Sequence, residues 1–315
     1  MKTTTNLYFK LNFSTIVAAV CIFLVCKTFT ANATEISPLI GFGQEDFSFD
    51  LEKVTASSGA ITFKPNISGI TRLGVNAYGF GVGLGFRGSS KEIDPQYGTT
   101  KFFDLQLSYQ QKDWGIEAFY QTYKGFYTTS TAQLQLQPDL EFKHYGLMGR
   151  YALSGGDFSL AGLMDQSDDI TPAPGKFFVV GGLRHHDLNT STSLLIQENV
   201  GVNTPFENLR RLKVTSLNLG LGYGKTWISD NRFFIGGLVD GLMTTGMYNF
   251  ESTTGTTSST YGTPSFNLRL GTGYAGETFK TGISLAMDLT TLSAPGGVYV
   301  KPSAHRLMLY FRLAL

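Results

Sequence analysis

Cysteine is almost absent from the chain: the two present, Cys21 and Cys26, both fall within the first 33 of 315 residues. This excludes a disulfide framework and a thiolate metal site for everything downstream. Charge is scarce as well, at 16% Asp, Glu, Lys and Arg, where a soluble domain carries about 25%. The net charge of +1 gives no reason to expect nucleic acid as a partner. Histidine is confined to His144, His185, His186 and His305, with no His-x3-His or His-Glu-x-x-His spacing, so no metal is expected. His185 and His186 are neighbours on a strand, and their rings point to opposite faces. The chain has no Gly-x-Ser-x-Gly elbow, and the glycine-rich run Tyr78 to Gly85 lacks the Lys and Ser or Thr of a phosphate loop. No catalytic residue and no cofactor is therefore assigned.

Long apolar runs are missing too, apart from one near the start. Ile16 to Val25 (IVAAVCIFLV) follows Lys2 and Lys10 and is too short for a transmembrane helix, which needs about 20 residues. Ala31-Asn32-Ala33 supplies the small residues that a signal peptidase reads, so cleavage before Thr34 is expected. Removal of 33 residues from 315 leaves 282 and, with Lys2, Lys10 and Lys27 gone, a net charge of −2. Residues 1–33 are read as a signal peptide, 34–45 as a short periplasmic N-terminal segment, and 46–315 as a single barrel domain.

What the chain has in quantity is glycine (37 residues), aromatic residues (13%) and alternation. In Lys101 to Tyr123 (KFFDLQLSYQQKDWGIEAFYQTY), Phe103, Leu105, Leu107 and Tyr109 alternate with polar residues, the period-2 signature of a two-faced strand. If Lys112-Asp113 closes a tight turn, Tyr109 meets Ile116, Leu107 meets Ala118, Leu105 meets Tyr120, and Ser108 meets Glu117 on the other face. The same test gives Leu73, Val75 and Ala77 against Phe80, Val82 and Leu84, with Gly81, Gly83 and Gly85 facing inward. It also pairs Leu147, Gly149 and Tyr151 with Met164, Gly162 and Leu160 around Gly155-Gly156, and Leu183 with Ile196 around Asn189-Thr190. Leu217 to Tyr223 would meet Met243 to Gly237, and Phe266 to Leu270 would meet Met287 to Ile283.

Between these hairpins lie longer connections near 88–100, 124–140, 165–175, 200–210, 249–263 and 290–302. Short and long alternate, as in outer-membrane barrels with short periplasmic turns. Glu251 to Thr263 reads as mobile surface. Trp114, Tyr123, Phe126, Tyr127, Trp227, Tyr248 and Tyr274 read as interfacial girdles. The expected fold is all-β: one antiparallel transmembrane β-barrel of about 14 strands, with 12 the alternative if the N-terminal segment does not pair. The Phe47 strand or Ile61 to Phe63 should supply the strand that makes the number even.

Phe63-Lys64-Pro65-Asn66, Gly74, Tyr78, Gly98-Thr99-Thr100-Lys101-Phe102-Phe103-Asp104, Trp114-Gly115-Ile116-Glu117 and Tyr123-Lys124-Gly125-Phe126-Tyr127 resemble an uncharacterised group of bacterial outer-membrane proteins, domain of unknown function 4421. The resemblance is densest from 60 to 127. It implies a barrel in the envelope and carries no activity or binding residues.

The inward positions place Arg72, Asp104, Glu117, Arg150, Asp240, Arg269, Asp288, Arg306 and Arg312 toward the lumen, either to select a solute by charge or to pair and stiffen the wall. Met148, Leu163, Leu195 and Leu242 should point the same way. Leu219 and Leu285 should face lipid, with Asn218 and Ser284 facing the lumen. The expected place is the outer membrane of a Gram-negative bacterium, with membrane lipid and the barrel assembly machinery as partners. A passive channel or small-solute transporter is the leading functional expectation, because Thr34 to Glu45 is too short for a plug. A structural or adhesive surface barrel with an occluded lumen is the alternative. An outer-membrane lipid enzyme would require a Ser-His or acid-His pair to converge.

Overall fold

The structure is a computed structural model. It describes residues 36–53, 61–67, 69–87, 94–111, 113–129, 134–153, 162, 173–191, 194, 209–294 and 298–313. Residues 1–33, expected to be a signal peptide, lie outside these, as do Leu163 and Leu195.

The strands are β1 (Ile36–Lys53), β2 (Ile61–Phe63), β3 (Ile70–Ala77), β4 (Phe80–Arg87), β5 (Lys101–Gln110), β6 (Trp114–Thr128), β7 (Gln135–Ala152), β8 (Ala173–Asn189), β9 (Leu209–Ile228), β10 (Phe233–Ser252), β11 (Gly255–Ala275), β12 (Phe279–Leu289), β13 (Leu292–Ala294) and β14 (Val298–Leu313). Among the described residues these fourteen strands form one antiparallel sheet, and twelve of them close into a barrel. β1 meets β14 along a seam from Leu39 opposite Arg312 to Lys53 opposite Val298. The short β2 and β13 pair with β1 and β14 and stand outside the twelve.

Alternation decides which way each strand faces. In β10, burial switches residue by residue from Phe234 to Phe250. Val239, Met243 and Met247 turn outward, and Leu238, Asp240 and Leu242 turn inward. Every barrel strand but β5, whose outward Phe103, Leu105, Leu107 and Tyr109 are half-buried, exposes apolar side chains this way, among them Phe42, Leu73, Ile116, Leu147, Leu219 and Leu309. A belt that encircles the molecule would be uncovered in water, and its closed backbone ladder suits hydrocarbon. The protein is thus a transmembrane β-barrel of the outer-membrane type.

The Lys101 to Tyr123 hairpin has the expected register pair for pair, and so do β3 and β4. Two hairpins do not form as expected. Leu147, Gly149 and Tyr151 pair with Leu183, Gly181 and Val179 of β8, and Leu183 also pairs with Leu217 of β9. Gly155-Gly156 and Asn189-Thr190 look like tight turns in the sequence, but the ladder partner of β7 is β8 and that of β8 is β9. The expected return runs around Leu160 and Ile196 lie outside the described residues, and among those described the wall has twelve strands although the N-terminal segment does pair. The β9–β10 and β11–β12 registers differ from expectation by two residues, with Leu219 opposite Met243 and Leu268 opposite Met287. The faces are unchanged, because a slip of two preserves side-chain direction.

Residues 36–45 are not a segment ahead of the barrel but the first half of β1, paired with both β3 and β14. Pro38 and the glycines at 41 and 43 hide the alternation of Ile36, Ile40 and Phe42. Pairing with β14 begins only at Leu39, so Pro38 costs no ladder donor there. The strict alternation of short and long connections also breaks twice. β7 and β8 are separated by 153–172 at the end where the other turns are tight, and β10 and β11 stay paired up to Thr253-Thr254, with Ser252 opposite Gly255. Glu251 to Thr263 is therefore a paired ribbon.

The aromatic girdle is real at the tight-turn end. Phe80, Tyr109 and Trp114 form one contact series there, and Phe233, Tyr274, Phe279 and Phe311 form another. Tyr123, Phe126 and Tyr248, expected in a girdle, are buried inside the barrel, and Tyr127 is covered by Tyr97.

Candidate functional site: a closed mouth above a charged lumen

At the end away from the tight turns, β3, β4 and β5 stop while β1 and β6 run on. β1 leaves β3 at Gly43, opposite Ile70, and from Phe49 to Leu51 pairs with β2 instead. β2 leads straight to Lys64, whose backbone exchanges two hydrogen bonds of 2.9 Å with Tyr127 at the end of β6. The main chain thus takes a short cut across the barrel, bypassing three wall strands. Inside the narrowed ring, one apolar cluster draws on β1, β2, the start of β3 at Ile70, β6 to β10, β13 and β14. Phe47 stacks on Tyr123 at 4.3 Å, and Phe49 stacks on Phe63 at 5.0 Å. Phe49, Phe63, Tyr123, Leu140, Leu209 and Val214 have no exposed surface. Each buried aromatic or aliphatic side chain of this size contributes roughly 1.5–3 kcal/mol.

Polar residues hold the short cut in place. Thr100 Oγ1 accepts from the Asn66 backbone N–H at 2.8 Å and donates to Gly125 O at 2.6 Å. Asn66 Nδ2 donates to the carbonyls of Asp94 and Gly98 at 2.8 and 2.6 Å. Gly125 sits at φ 93°, in a bulge of β6 between Lys124 and Phe126. There a side chain would press on Thr99 O, so glycine is required. Tyr97 stacks on Tyr127 at 4.3 Å with planes 6° apart.

Below the apolar cluster the lumen is charged. Tyr123 OH donates to Glu45, and the Arg306 guanidinium binds Glu45 at 3.1 Å and Asp104 at 3.3 Å. Arg72 binds Asp104 at 2.6 Å. Across the lumen, Arg150 bridges Glu117 and Asp240, both at 2.7 Å, and Arg269 binds Asp288 at 3.1 Å. Arg312 donates to Ser37 O and Oγ at 3.0 and 3.1 Å. The nine expected lumen residues therefore meet in a few linked groups, and pairing dominates. Met148 and Leu242 join Phe178, Val180 and Leu238 in a second inward apolar cluster. A cavity of about 220 Å³ remains, running from Glu45 and Arg306 past Arg150, Arg184 and Arg269 to Asn76, Gln110 and Arg312 by the tight turns.

The family model described as Domain of unknown function (DUF4421) matches residues 43–303. The chain belongs to the DUF4421 family. Three of the stretches that carry the resemblance, Lys64-Pro65-Asn66, Gly98-Thr99-Thr100 and Gly125-Phe126-Tyr127, come together in the hydrogen-bonded short cut just described. No curated protein matches the chain. Among solved structures it is similar to the outer membrane protease OmpT of Escherichia coli, with 9% identity and a TM-score of 0.41 over 92% of this chain and 99% of that one. It is also similar to the β domain of the Bordetella autotransporter BrkA (14%, TM-score 0.34, 88% and 99%). A third similarity is to the toluene transporter TodX of P. putida (8%, TM-score 0.27, 90% and 91%). Likeness at this level says nothing about activity.

In this DUF4421 member, as expected, His185 and His186 face opposite ways. His185 points out beside Tyr145 and Thr215, and His186 points in and stacks on His144 at 4.3 Å. No cluster of three metal-ligating side chains exists among the described residues. One Ser-His contact does, with Ser303 Oγ 2.8 Å from His305 Nε2. Both residues lie within β14, paired on either side by β1 and β12, so the surrounding backbone amides are committed to the ladder rather than free to hold an oxyanion. The sequence reading omitted Glu45, Arg184 and Asn267 from the lumen. Glu45 falls in the segment read as preceding the barrel, and Arg184 lies on the strand expected to turn back at Asn189-Thr190. Glycine opposite a charged residue marks the inward face, as Gly85 and Gly222 do for Asp104 and Asp240, and Gly146 likewise stands opposite Arg184.

Proposed function

We propose that this protein is an outer-membrane barrel that does not conduct in its resting form, a surface or structural barrel with an occluded lumen rather than a passive pore. One observation carries the reading: the β1–β2–β6 short cut and its apolar core fill the barrel mouth among the described residues. A cleaved leader would deliver the chain to the periplasm, the assembly machinery would insert it among outer-membrane lipids, and the tight turns would face the periplasm. Planar-bilayer recording of the purified protein tests the closure, and no stable conductance steps are expected. Porin-like steps from the unaltered protein would overturn it.

A second reading, gated transfer of a small solute, is favoured by the cavity that reaches the tight-turn end. It requires the short cut to release, so a variant with the latch removed should conduct where the parent does not.

A further inference from the structure

Four lumen arginines, Arg72, Arg150, Arg269 and Arg306, each hold a carboxylate at 2.6 to 3.1 Å. Arg184 on β8 does not. It is 5% exposed, it donates to Asn267 Oδ1 at 3.0 Å and reaches Thr290 Oγ1 at 3.5 Å, and its Nε has no partner among the described residues. The acids that bear on it, Asp288 and Asp240, are held by Arg269 and Arg150. His186 lies two residues along the same inward face, with His144 opposite it in the ladder. His144 Nε2 and both ring nitrogens of His186 likewise have no hydrogen-bond partner among the described residues. Arg184 and His144 both line the cavity.

A guanidinium this deep without a counter-charge is costly, and so is each buried donor left unbonded. Both costs are relieved by an anion whose oxygens accept from Arg184 and from His144 in its Nε2–H form. Oxyanions suit the planar guanidinium fork, which donates two parallel hydrogen bonds. A cation is disfavoured because, among the described residues, the lumen acids Glu45, Asp104, Glu117, Asp240 and Asp288 are each already held by an arginine. We propose that the cavity carries a binding site for a small oxyanion, a carboxylate or phosphate solute, with Arg184 as its principal ligand and His144 as the second donor. The cavity size restricts it to a small molecule, and its extent brings that molecule from the tight-turn side.

The test is isothermal titration calorimetry on the full chain folded in non-ionic detergent. Sodium phosphate and sodium acetate are titrated separately, at an ionic strength fixed with sodium chloride. Saturable one-to-one binding of at least one of them is expected. Arg184→Gln should weaken it at least tenfold, while Arg232→Gln, which removes an exposed guanidinium paired with Glu277, should leave it unchanged. His144→Phe keeps an aromatic ring against His186 and should weaken binding several-fold, so it decides the matter should Arg184→Gln not fold. The proposal is overturned by no saturable binding of either anion, by unchanged affinity in Arg184→Gln or His144→Phe, or by an equal loss in Arg232→Gln. Bilayer recording reports closure and calorimetry reports binding, so either reading can fail without the other.

Discussion

Phe47 and Tyr123 lie face to face, ring centroids 4.3 Å apart and planes within 10°, although three strands separate β1 from β6 around the wall. The contact is possible because β1 departs from β3 at Gly43 and is carried toward β6 by β2. The buried hydroxyl of Tyr123 is then satisfied by Glu45, whose charge is in turn met by Arg306. Aromatic packing, a hydrogen bond and an ion pair thus act on one junction.

Weakening that junction should open the barrel before it unfolds it. Asn66→Ala removes the two side-chain hydrogen bonds to the carbonyls of Asp94 and Gly98 and keeps the backbone N–H bond to Thr100. Combined with Phe49→Ala, which costs about 3–5 kcal/mol in a packed core, it should give conductance in planar bilayers. Silence from the folded double variant would count against a closure that can be released.

Arg150 bridges two acids, and Asp240 beside it is fully buried. Arg150→Ala should therefore destabilise by about 3–5 kcal/mol, because it strands a buried carboxylate. Arg150→Met with Asp240→Leu should recover much of the loss. Reversible unfolding of the single and double variants gives the coupling, and additive losses would deny that the pair acts as a unit.

Leu219 is 55% exposed on the outer face. Arg at this position should cost about 2–4 kcal/mol if it lies near the bilayer midplane. Ser108 lines the cavity opposite Glu117, so Ser108→Arg should cost far less. Asn218, expected to face the lumen, has no exposed surface and accepts from Thr244 at 2.7 Å, so Asn218→Arg should be as damaging as Leu219→Arg. Unfolding from lipid bilayers ranks the three, and a ranking with Ser108→Arg worst would invert the faces.

Cys placed at Thr256, beside the β10–β11 turn, should react with an impermeant thiol reagent on intact cells. Cys at Asp230, in the β9–β10 turn at the opposite end, should react only after the outer membrane is permeabilised. Equal labelling of both on intact cells would refute the orientation.

The face of a strand was legible wherever a short turn bounded it, as at Lys112-Asp113, because period 2 leaves two choices and apolar matching removes one. Register was less legible: the β9–β10 pairing could slide by two residues without disturbing any face. The closed mouth was hidden for a different reason. Phe47, Phe49 and Leu51 alternate as a lipid-facing strand would, and the pattern does not say whether the greasy side meets lipid or other side chains. A change of phase does carry that information. In β9, Leu212 and Val214 are buried while Leu217, Leu219 and Leu221 are exposed, so the apolar parity switches around Ser216. Arg184 was missed because its strand contains adjacent inward and outward histidines that blur the alternation.

The β10–β11 ribbon reaches well past the lipid. Its 20-residue strand β10 spans about 66 Å along its axis at roughly 3.3 Å per residue, far more than an apolar band about 25 Å tall requires even at a tilt. β12 pairs with β11 only from Phe266 onward, so among the described residues Gly255 to Ser265 are bonded to β10 on one side alone. That margin is an open strand edge, a row of amides and carbonyls left for water or for another extended chain to satisfy. Its threonines and serines keep it hydrated, and Pro264 removes one donor. The stretch that composition marks as a loose tip is thus a stiff blade whose outer border is polar backbone.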